Sequence, residues 1–329
     1  VNELRWNPLA GQWVTIATER AARPSDFAPR FLPVEGEPGR PCPFCPGNED
    51  EFPPALESYA RDGDWRVRVV PNKYPAFRGV EPLDLTRLGP VFTQAPASGI
   101  HEVLVLSPDH HLAWADLDDR QVALVMAAVR DRVEEHGRHA VVRHSLVIVN
   151  HGREAGASLE HPHGQLLGTP FVSRVVADEA TAFAEHQGGC LLCATVDSER
   201  AGGHRVVDDE GEAVVLSPYW AGSPYELLVV PTAHGADVKA SAPADVVAVG
   251  RAVRDGLRRI RSLLGDVPYN LILHTAPHGH DGPYHWHVHV IPRVTSVAGF
   301  EQGTGALINI VAPELAAQQL ARQDPDAAS

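Results

Sequence analysis

The chain repeats itself, and the repeat limits its fold more than any other feature. Cys42-Pro43-Phe44-Cys45 is followed by His110 at the end of an apolar stretch and then by His161-Pro162-His163-Gly164-Gln165. Cys190-Leu191-Leu192-Cys193 is followed by His234 at the end of an apolar stretch and then by His285-Trp286-His287-Val288-His289. The interval from His110 to His161 and from His234 to His285 is 51 residues in both cases. Glu102 and Glu226 each stand eight positions before His110 and His234, and Asn150 and His274 each stand eleven before His161 and His285. One equal spacing arises easily by chance, but a set held in one register does not. Each half therefore reads as a Cys-x-x-Cys knuckle, strands, a helix, and a closing pair of strands that ends in the histidine cluster.

Periodicity fills in the middle of each half. Val122, Val125, Val129 and Val133 recur at helical spacing over Asp118 to His136, as do Val246, Val249, Val253, Leu257 and Ile260 over Ala244 to Leu264. Each pattern predicts a helix with one buried face. The junction falls near 170–189, with a helix expected from Asp178 to Gln187 and a break at Gly188-Gly189. The division is 1–175 and 176–329, which suits a chain of 329 residues. Pro33 to Pro41 reads as a loop feeding the first Cys pair, and the tail from Gln323 as frayed.

The formal net charge of −14 argues against a broad nucleic-acid or acidic-membrane footprint. A small phosphate-bearing ligand needs only a local site. No run approaches the roughly 20 apolar residues of a membrane span, and Val1 to Trp6 has no signal-peptide pattern. A soluble cytoplasmic protein is expected.

Two Cys and two His per half is the donor set of a closed four-coordinate structural zinc site. Cys42, Cys45, His110 and His161 form the first candidate set, and Cys190, Cys193, His234 and His285 the second. A redox dithiol is the competing reading of a Cys-x-x-Cys pair, but it leaves the matched histidines unexplained. A full ligand set has no open position for water, so catalysis is assigned elsewhere.

In an extended segment alternate side chains share a face, which puts His161, His163 and Gln165 together, and His285, His287 and His289 together. Asn150 to Ser158 reads as a glycine-rich loop whose amides and Ser158 hydroxyl can approach phosphate oxygens. A neutral imidazole attacks phosphorus and splits a transfer into two displacements. Gln165 can donate to a non-bridging oxygen that holds negative charge. His285-Trp-His287-Val-His289 raises the question of a second active site. Its upstream segment, His274 to Pro283, lacks the Asn/Gly/Ser loop and contains prolines, and His278 and His280 read as loop histidines.

Cys42-Pro-Phe-Cys45, Ser107-Pro-Asp-His110 and Asn150 to Gln165 resemble the galactose-1-phosphate uridylyltransferase family, a branch of the histidine-triad superfamily. The likeness extends through Asn7 to Val14, Arg20 to Pro24, Val69 to Pro75, His285 to His287 and Gly299 to Gly305. The fold it implies is α+β, with two fused histidine-triad-like halves forming antiparallel sheets with packed helices. It implies that His163 is the nucleophile that becomes nucleotidylated and Gln165 its phosphate-stabilising partner. Asn150, Gly156 and Ser158 fall at phosphate- or nucleotide-contacting positions, Asn72 at a nucleoside contact, and Glu301 at a sugar contact. Arg20 and Arg23 match arginines that reach a neighbouring subunit's site, so a homodimer is implied. Cys42, Cys45, His110 and His161 match the family's zinc ligands, the set already read from the residues.

Hydrolases of the superfamily carry a third histidine where Gln165 stands, which can protonate a poor leaving group. A sugar phosphate leaves without needing such a proton, so glutamine there favours transfer over hydrolysis. Better-known members often build a second metal site from residues like His274, His285 and His287 with a glutamate, here Glu179. The second Cys pair instead favours zinc with His285, a pattern more like the ADP-glucose phosphorylase branch. The leading expectation is a ping-pong transfer of UMP from UDP-glucose to galactose 1-phosphate. The alternatives are an adenylyl transfer with phosphate as acceptor, a hydrolase, and a zinc-stabilised nucleotide-binding protein without turnover.

Overall fold

A computed structural model describes residues 2–22 and 41–328. In chain order the elements begin with the hairpin β1 (Glu3–Asn7) and β2 (Gln12–Ile16), followed by β3 (Glu57–Arg61) and β4 (Asp64–Pro71). A short ribbon, β5 (Thr86–Leu88) and β6 (Phe92–Gln94), precedes β7 (Ile100–Val105), α1 (Asp119–Arg138), β8 (His144–His151) and β9 (His163–Thr169). The second half comprises α2 (Arg174–Glu185), α3 (Leu191–Gly202), β10 (Val206–Asp209), β11 (Ala213–Leu216), β12 (Leu227–Pro231), α4 (Pro243–Leu264), β13 (Tyr269–His274) and β14 (His287–Pro292). It closes with α5 (Gly299–Thr304), β15 (Leu307–Asn309) and α6 (Pro313–Ala321).

The sequence repeat reappears as symmetry in one ten-stranded sheet, ordered β10-β11-β12-β14-β13-β8-β9-β7-β4-β3. Read outward from the β13/β8 pair, each half contributes the corresponding strand in the corresponding place. Ile148 and Ile272, repeat-related residues, face each other in that antiparallel pair. The pseudo-twofold axis therefore passes between them, and the two halves share a sheet rather than forming separate lobes.

Alternation along the strands separates two faces. Leu104, Val147, Val149, Leu166, Leu271, Leu273, Val288 and Val290 point to the face covered by α1 and α4, where one core runs through both halves. Asp118 caps α1 by accepting from the Gln121 amide, and Pro243 opens α4, where its missing N–H costs nothing. The two helices meet closely because Gly250 faces Met126 and Val122; a Cβ at 250 would lie 2.5 Å from Met126 Cγ. Met126 and Gly250 are repeat-related, so a knob and a hole occupy equivalent places across the axis.

The opposite face is covered unevenly. In the second half Phe183 of α2 and Leu192 and Val196 of α3 pack on Val214, Leu216, Leu228 and Val230. In the first half Phe44 packs on Val70, Val103 and Val105. Between these covers lie the half-buried His101, Gln165, Ile148, Asn150, Ile272 and His289.

Several local expectations need correction. The linker helix starts at Arg174 rather than Asp178, because Ser173 caps it by accepting from the Val176 amide. The second Cys pair does not sit in a knuckle like the first: Cys190 is the N-cap of α3 and Cys193 lies in its first turn. Gly188 and Gly189 do form the break, both at positive φ. Gln323 is not frayed, since its carbonyl accepts from Arg259 of α4 and its side chain accepts from Ser262. Most of the Pro33 to Pro41 loop lies outside the described residues. Strand β15 pairs in parallel with β2, and Arg5 reaches Glu314, so the N-terminal hairpin packs with the C-terminal segment. No helix among the described residues is long and apolar enough to cross a membrane.

Candidate active site and metal centres

His163 opens β9 on the face away from α1 and α4, opposite Val105 of β7. Its Nδ1 lies 2.9 Å from the His161 carbonyl oxygen. That oxygen can only accept, so the ring proton sits on Nδ1 and the Nε2 lone pair is free. Burial lowers the His163 pKa, keeping the ring neutral at neutral pH. Phe44 lies 5.1 Å away, ring to ring, and shields one side. Gln165 follows two positions later on the same face, with Oε1 2.8 Å from His101 Nε2.

Asn150 lies beside them on β8, one residue before the strand ends at His151, rather than opening the loop. Its Oδ1 accepts from Asn270 Nδ2 at 2.7 Å, and Asn270 Nδ2 also donates to the Ala155 carbonyl. Arg293 Nε donates to Asn270 Oδ1. The loop from Gly152 to Ser158 is thus held from the second half. Gly152 is required at its φ of 80°, where a Cβ would come within 2.9 Å of Pro268. Gly156 ends the short 3-10 turn Arg153–Ala155 in the left-handed region, and Ser158 is exposed.

The first candidate zinc set converges as expected. Cys42, Cys45, His110 and His161 offer ligand atoms that all lie within 4.8 Å of one another. His161 Nε2 meets the Ser107 carbonyl at 2.9 Å, which fixes the tautomer and leaves Nδ1 for a metal. The Cys42 and Cys45 sulfurs approach that Nδ1 at 3.7 and 3.6 Å. Burial and the adjacent Cys42 thiol push Cys45 up to about 11. Two thiols this close ionise readily only when a cation sits between them. The second set repeats the arrangement: Cys190 and Cys193 lie 3.4 and 3.5 Å from His285 Nδ1, and His285 Nε2 meets the Pro231 carbonyl at 3.0 Å. Both donor sets suit zinc.

A third group combines Glu179, His274, His287 and His289. It differs from the set expected for a glutamate site, since His289 joins it and His285 turns to the cysteines. The pleat explains the difference, because His285 lies beyond the start of β14 whereas His287 and His289 share its site face. Glu179 Oε1 lies 2.8 Å from His274 Nδ1 and 3.7 Å from His287 Nε2. Burial would raise the Glu179 pKa, but His274 and His287 hold it well below the usual carboxylate range. His287 Nε2 is buried without a hydrogen-bond partner, a donor set that fits a metal ion between these groups. It does not suit a second nucleophile, because a buried carboxylate facing His287 repels phosphate.

Of the other predicted residues, Asn72 lies beside the His101–Gln165 pair. Arg20 is exposed on the 3-10 turn Thr18–Ala22, and among the described residues no hydrogen bond or ion pair joins it to the His163 site. Arg23 lies outside the described residues. Glu301 caps its own helix, accepting from the Ala298 amide. Asn72 turns its Oδ1 to the Tyr74 amide and its Nδ2 towards His101. His278 stands in the loop between β13 and β14, as expected, and its Nε2 lies 2.7 Å from Ser145 Oγ of the first half. Sequence reasoning missed His101 and Asn270, because only strand pairing reveals that they stand beside Gln165 and Asn150.

Two family models match the chain: the galactose-1-phosphate uridyl transferase N-terminal domain over residues 1–173 and its C-terminal domain over 177–307. ADP-glucose phosphorylase of Arabidopsis thaliana is 32% identical over 95% of this chain and 90% of its own. Galactose-1-phosphate uridylyltransferase of Thermotoga maritima is 27% identical over 97% of each. The crystal structure of the Arabidopsis thaliana ADP-glucose phosphorylase with bound ADP-glucose superimposes with a TM-score of 0.83 at 29% identity, covering 98% of this chain and 100% of that one.

Proposed function

Since the chain belongs to the galactose-1-phosphate uridyl transferase family of nucleotidyltransferases, we propose that His163 takes a nucleoside monophosphate from a nucleotide sugar and passes it to a phosphate-bearing acceptor. The observation that carries this reading is the His163 tautomer. With its proton committed to the His161 carbonyl, Nε2 offers a lone pair to the α-phosphorus. In the first displacement the N–P bond forms and the bond from phosphorus to the bridging oxygen breaks, releasing a sugar 1-phosphate. In the second, an oxygen of the acceptor phosphate attacks and the N–P bond breaks. Neither leaving group needs a proton, which suits glutamine rather than histidine at 165. The Gln165 and Asn150 amides and the loop to Ser158 would bear the phosphoryl charge.

The donor we favour is ADP-glucose with phosphate as acceptor. The identity to the Arabidopsis phosphorylase and the second Cys2His2 set support it over the expected UDP-glucose and galactose 1-phosphate. The uridylyl reading stays as the second, supported by the family models and the Thermotoga relative. Zinc at the two Cys2His2 sets belongs to this reading as a structural element. A homodimer belongs to it too, with Arg20 and Arg23 serving the partner subunit's site; that Arg20 is exposed, with no hydrogen bond or ion pair to its own His163 site among the described residues, supports this.

Intact-protein mass spectrometry after mixing with ADP-glucose or UDP-glucose tests the reading, with His163→Ala as control. An adenylyl adduct on the wild type alone is expected. A uridylyl adduct would move the assignment to the second reading, and no adduct from either donor would overturn covalent transfer.

A further inference from the structure

The Gln165 carboxamide is useful to a phosphoryl group only in one of its two orientations. With the N–H2 end towards the ligand it donates, and with the oxygen end it repels. Gln165 itself lies in an extended strand whose backbone does not choose between them. The choice is made by a neighbour, His101 of β7, which stands opposite Leu167 and reaches Gln165 diagonally.

The ring of His101 is oriented from its far side. Its Nδ1 lies 2.9 Å from the Ala76 backbone nitrogen, whose N–H can only donate. Nδ1 must therefore accept, and in the neutral ring the proton is on Nε2. That Nε2–H points at Gln165 Oε1, 2.8 Å away. The oxygen of Gln165 is thereby occupied, and its N–H2 group is left for the phosphoryl side. Asn72 Nδ2 lies 3.0 Å from the same ring nitrogen, but a nitrogen that donates to Gln165 has no lone pair for it. The Asn72 amide hydrogens thus stay available to another acceptor.

We infer that His101 is a positioning residue: through an Ala76–His101–Gln165 relay it holds the glutamine amide as a hydrogen-bond donor to the transferred phosphoryl group. The inference rests on nucleotidyl transfer through His163, proposed above. Asn270 does the parallel work on Asn150, occupying its oxygen from the second half.

The test is the rate of adduct formation at saturating ADP-glucose and UDP-glucose, read by rapid-quench mass spectrometry, in His101→Leu, His101→Gln, Gln165→Ala and the His101→Leu/Gln165→Ala double variant. His101→Leu keeps much of the volume but lacks the donor, and is expected to slow the step roughly tenfold to a hundredfold with little change in donor affinity. His101→Gln brings an N–H2 group to the Nε2 position and is expected to restore most of the rate. In the Gln165→Ala background His101→Leu is expected to add nothing. Nitrogen-15 NMR, assigned by difference from His101→Gln, is expected to show the Nε2–H tautomer at His101.

A wild type that forms the adduct while His101→Leu reacts equally fast, or slows Gln165→Ala as much as it slows the wild type, would overturn the relay and leave transfer through His163 standing. An Nδ1–H tautomer would overturn it without any turnover measurement. A wild type that forms no adduct from either donor would remove the transfer reading and the relay with it.

Discussion

His163 and His287 occupy the same place in the repeat, and their surroundings show how one backbone template gives two outcomes. Each ring sits two residues after a histidine of a Cys2His2 set, and each places Nδ1 2.9 Å from that histidine's carbonyl. His161 and His285 in turn meet repeat-related carbonyls, those of Ser107 and Pro231. The difference lies at Nε2. That of His163 is left free beside Gln165 on a ring with 7% exposure, whereas His287 is fully buried, with Glu179 from α2 facing it. Tyr284 donates to the other oxygen of Glu179 and completes the cover. A shared backbone thus sets the same ring tautomer in both halves, and one added acid with its helix shuts the second ring away. The paired glutamates diverge in the same way. Glu102 is buried between Arg132 and His136, while Glu226 accepts from the Gly222 and Ser223 amides.

The sharpest break in this comparison comes from alanine at each histidine. His163→Ala should reduce adduct formation by a factor on the order of 10⁴ or more in a protein that still folds. His287→Ala should keep adduct formation and lose about 3 kcal/mol of stability, read by urea denaturation, because Glu179 loses a buried partner. Equal activity losses would show that the halves are not functionally distinct.

Metal sites come next in size. Cys42→Ala and Cys190→Ala should each lose bound metal, by elemental analysis, and each should lower stability by about 4 kcal/mol or more. Only Cys42→Ala should also slow adduct formation, since His161 both closes that metal set and holds the His163 proton. Matching activity in the two variants would separate the first metal set from the active site.

A smaller effect is expected from acid at the seam between halves. Burial, with help from His274 and His278, lowers His144 to about 4, and burial with Lys239 nearby lowers His278 to about 4. In the unfolded chain both titrate at about 6.5. Between these values the unfolded state binds protons that the folded state refuses, so stability is full above about pH 6.5 and falls as the pH drops towards 4. Glu102 and Glu179, held below their ordinary values, add a further loss at lower pH as they protonate. Tm measured against pH in His278→Gln should show a shallower slope over the first window; an unchanged slope would remove His278 from the seam's pH response.

The smallest effect tests the helix crossing at the axis. Gly250→Ala should cost about 1–3 kcal/mol by overpacking Met126 and Val122, and Met126→Ala in the same chain should recover part of it. Additive losses in urea denaturation would show that the knob and hole do not couple.

Much of this was legible beforehand because it is periodic. The equal spacings placed both Cys2His2 sets, the valine rows placed α1 and α4, and alternation put His163 and Gln165 on one face of β9, although His161 precedes that strand and turns to the cysteines. The misreadings fell where local chemistry overrides period. Ser173 caps a helix earlier than the apolar pattern starts, and Cys190 caps a helix where the first Cys pair forms a turn. His285 and His289 share an alternation, yet one turns to the cysteines and the other to Glu179, because the strand begins between them.

The sequence by itself determined the two Cys2His2 donor sets, the duplicated plan and which histidine we propose as the nucleophile, since these depend on side-chain chemistry and spacing along one chain. Only the tertiary structure decided which nitrogen of His163 is free, which histidine is shut away, and that His101 and Asn270 set the amides of Gln165 and Asn150. Those outcomes depend on strand register and on carbonyls and carboxylates brought from distant segments, and a hydrogen bond between residues 64 or 120 positions apart leaves no periodic trace in the chain.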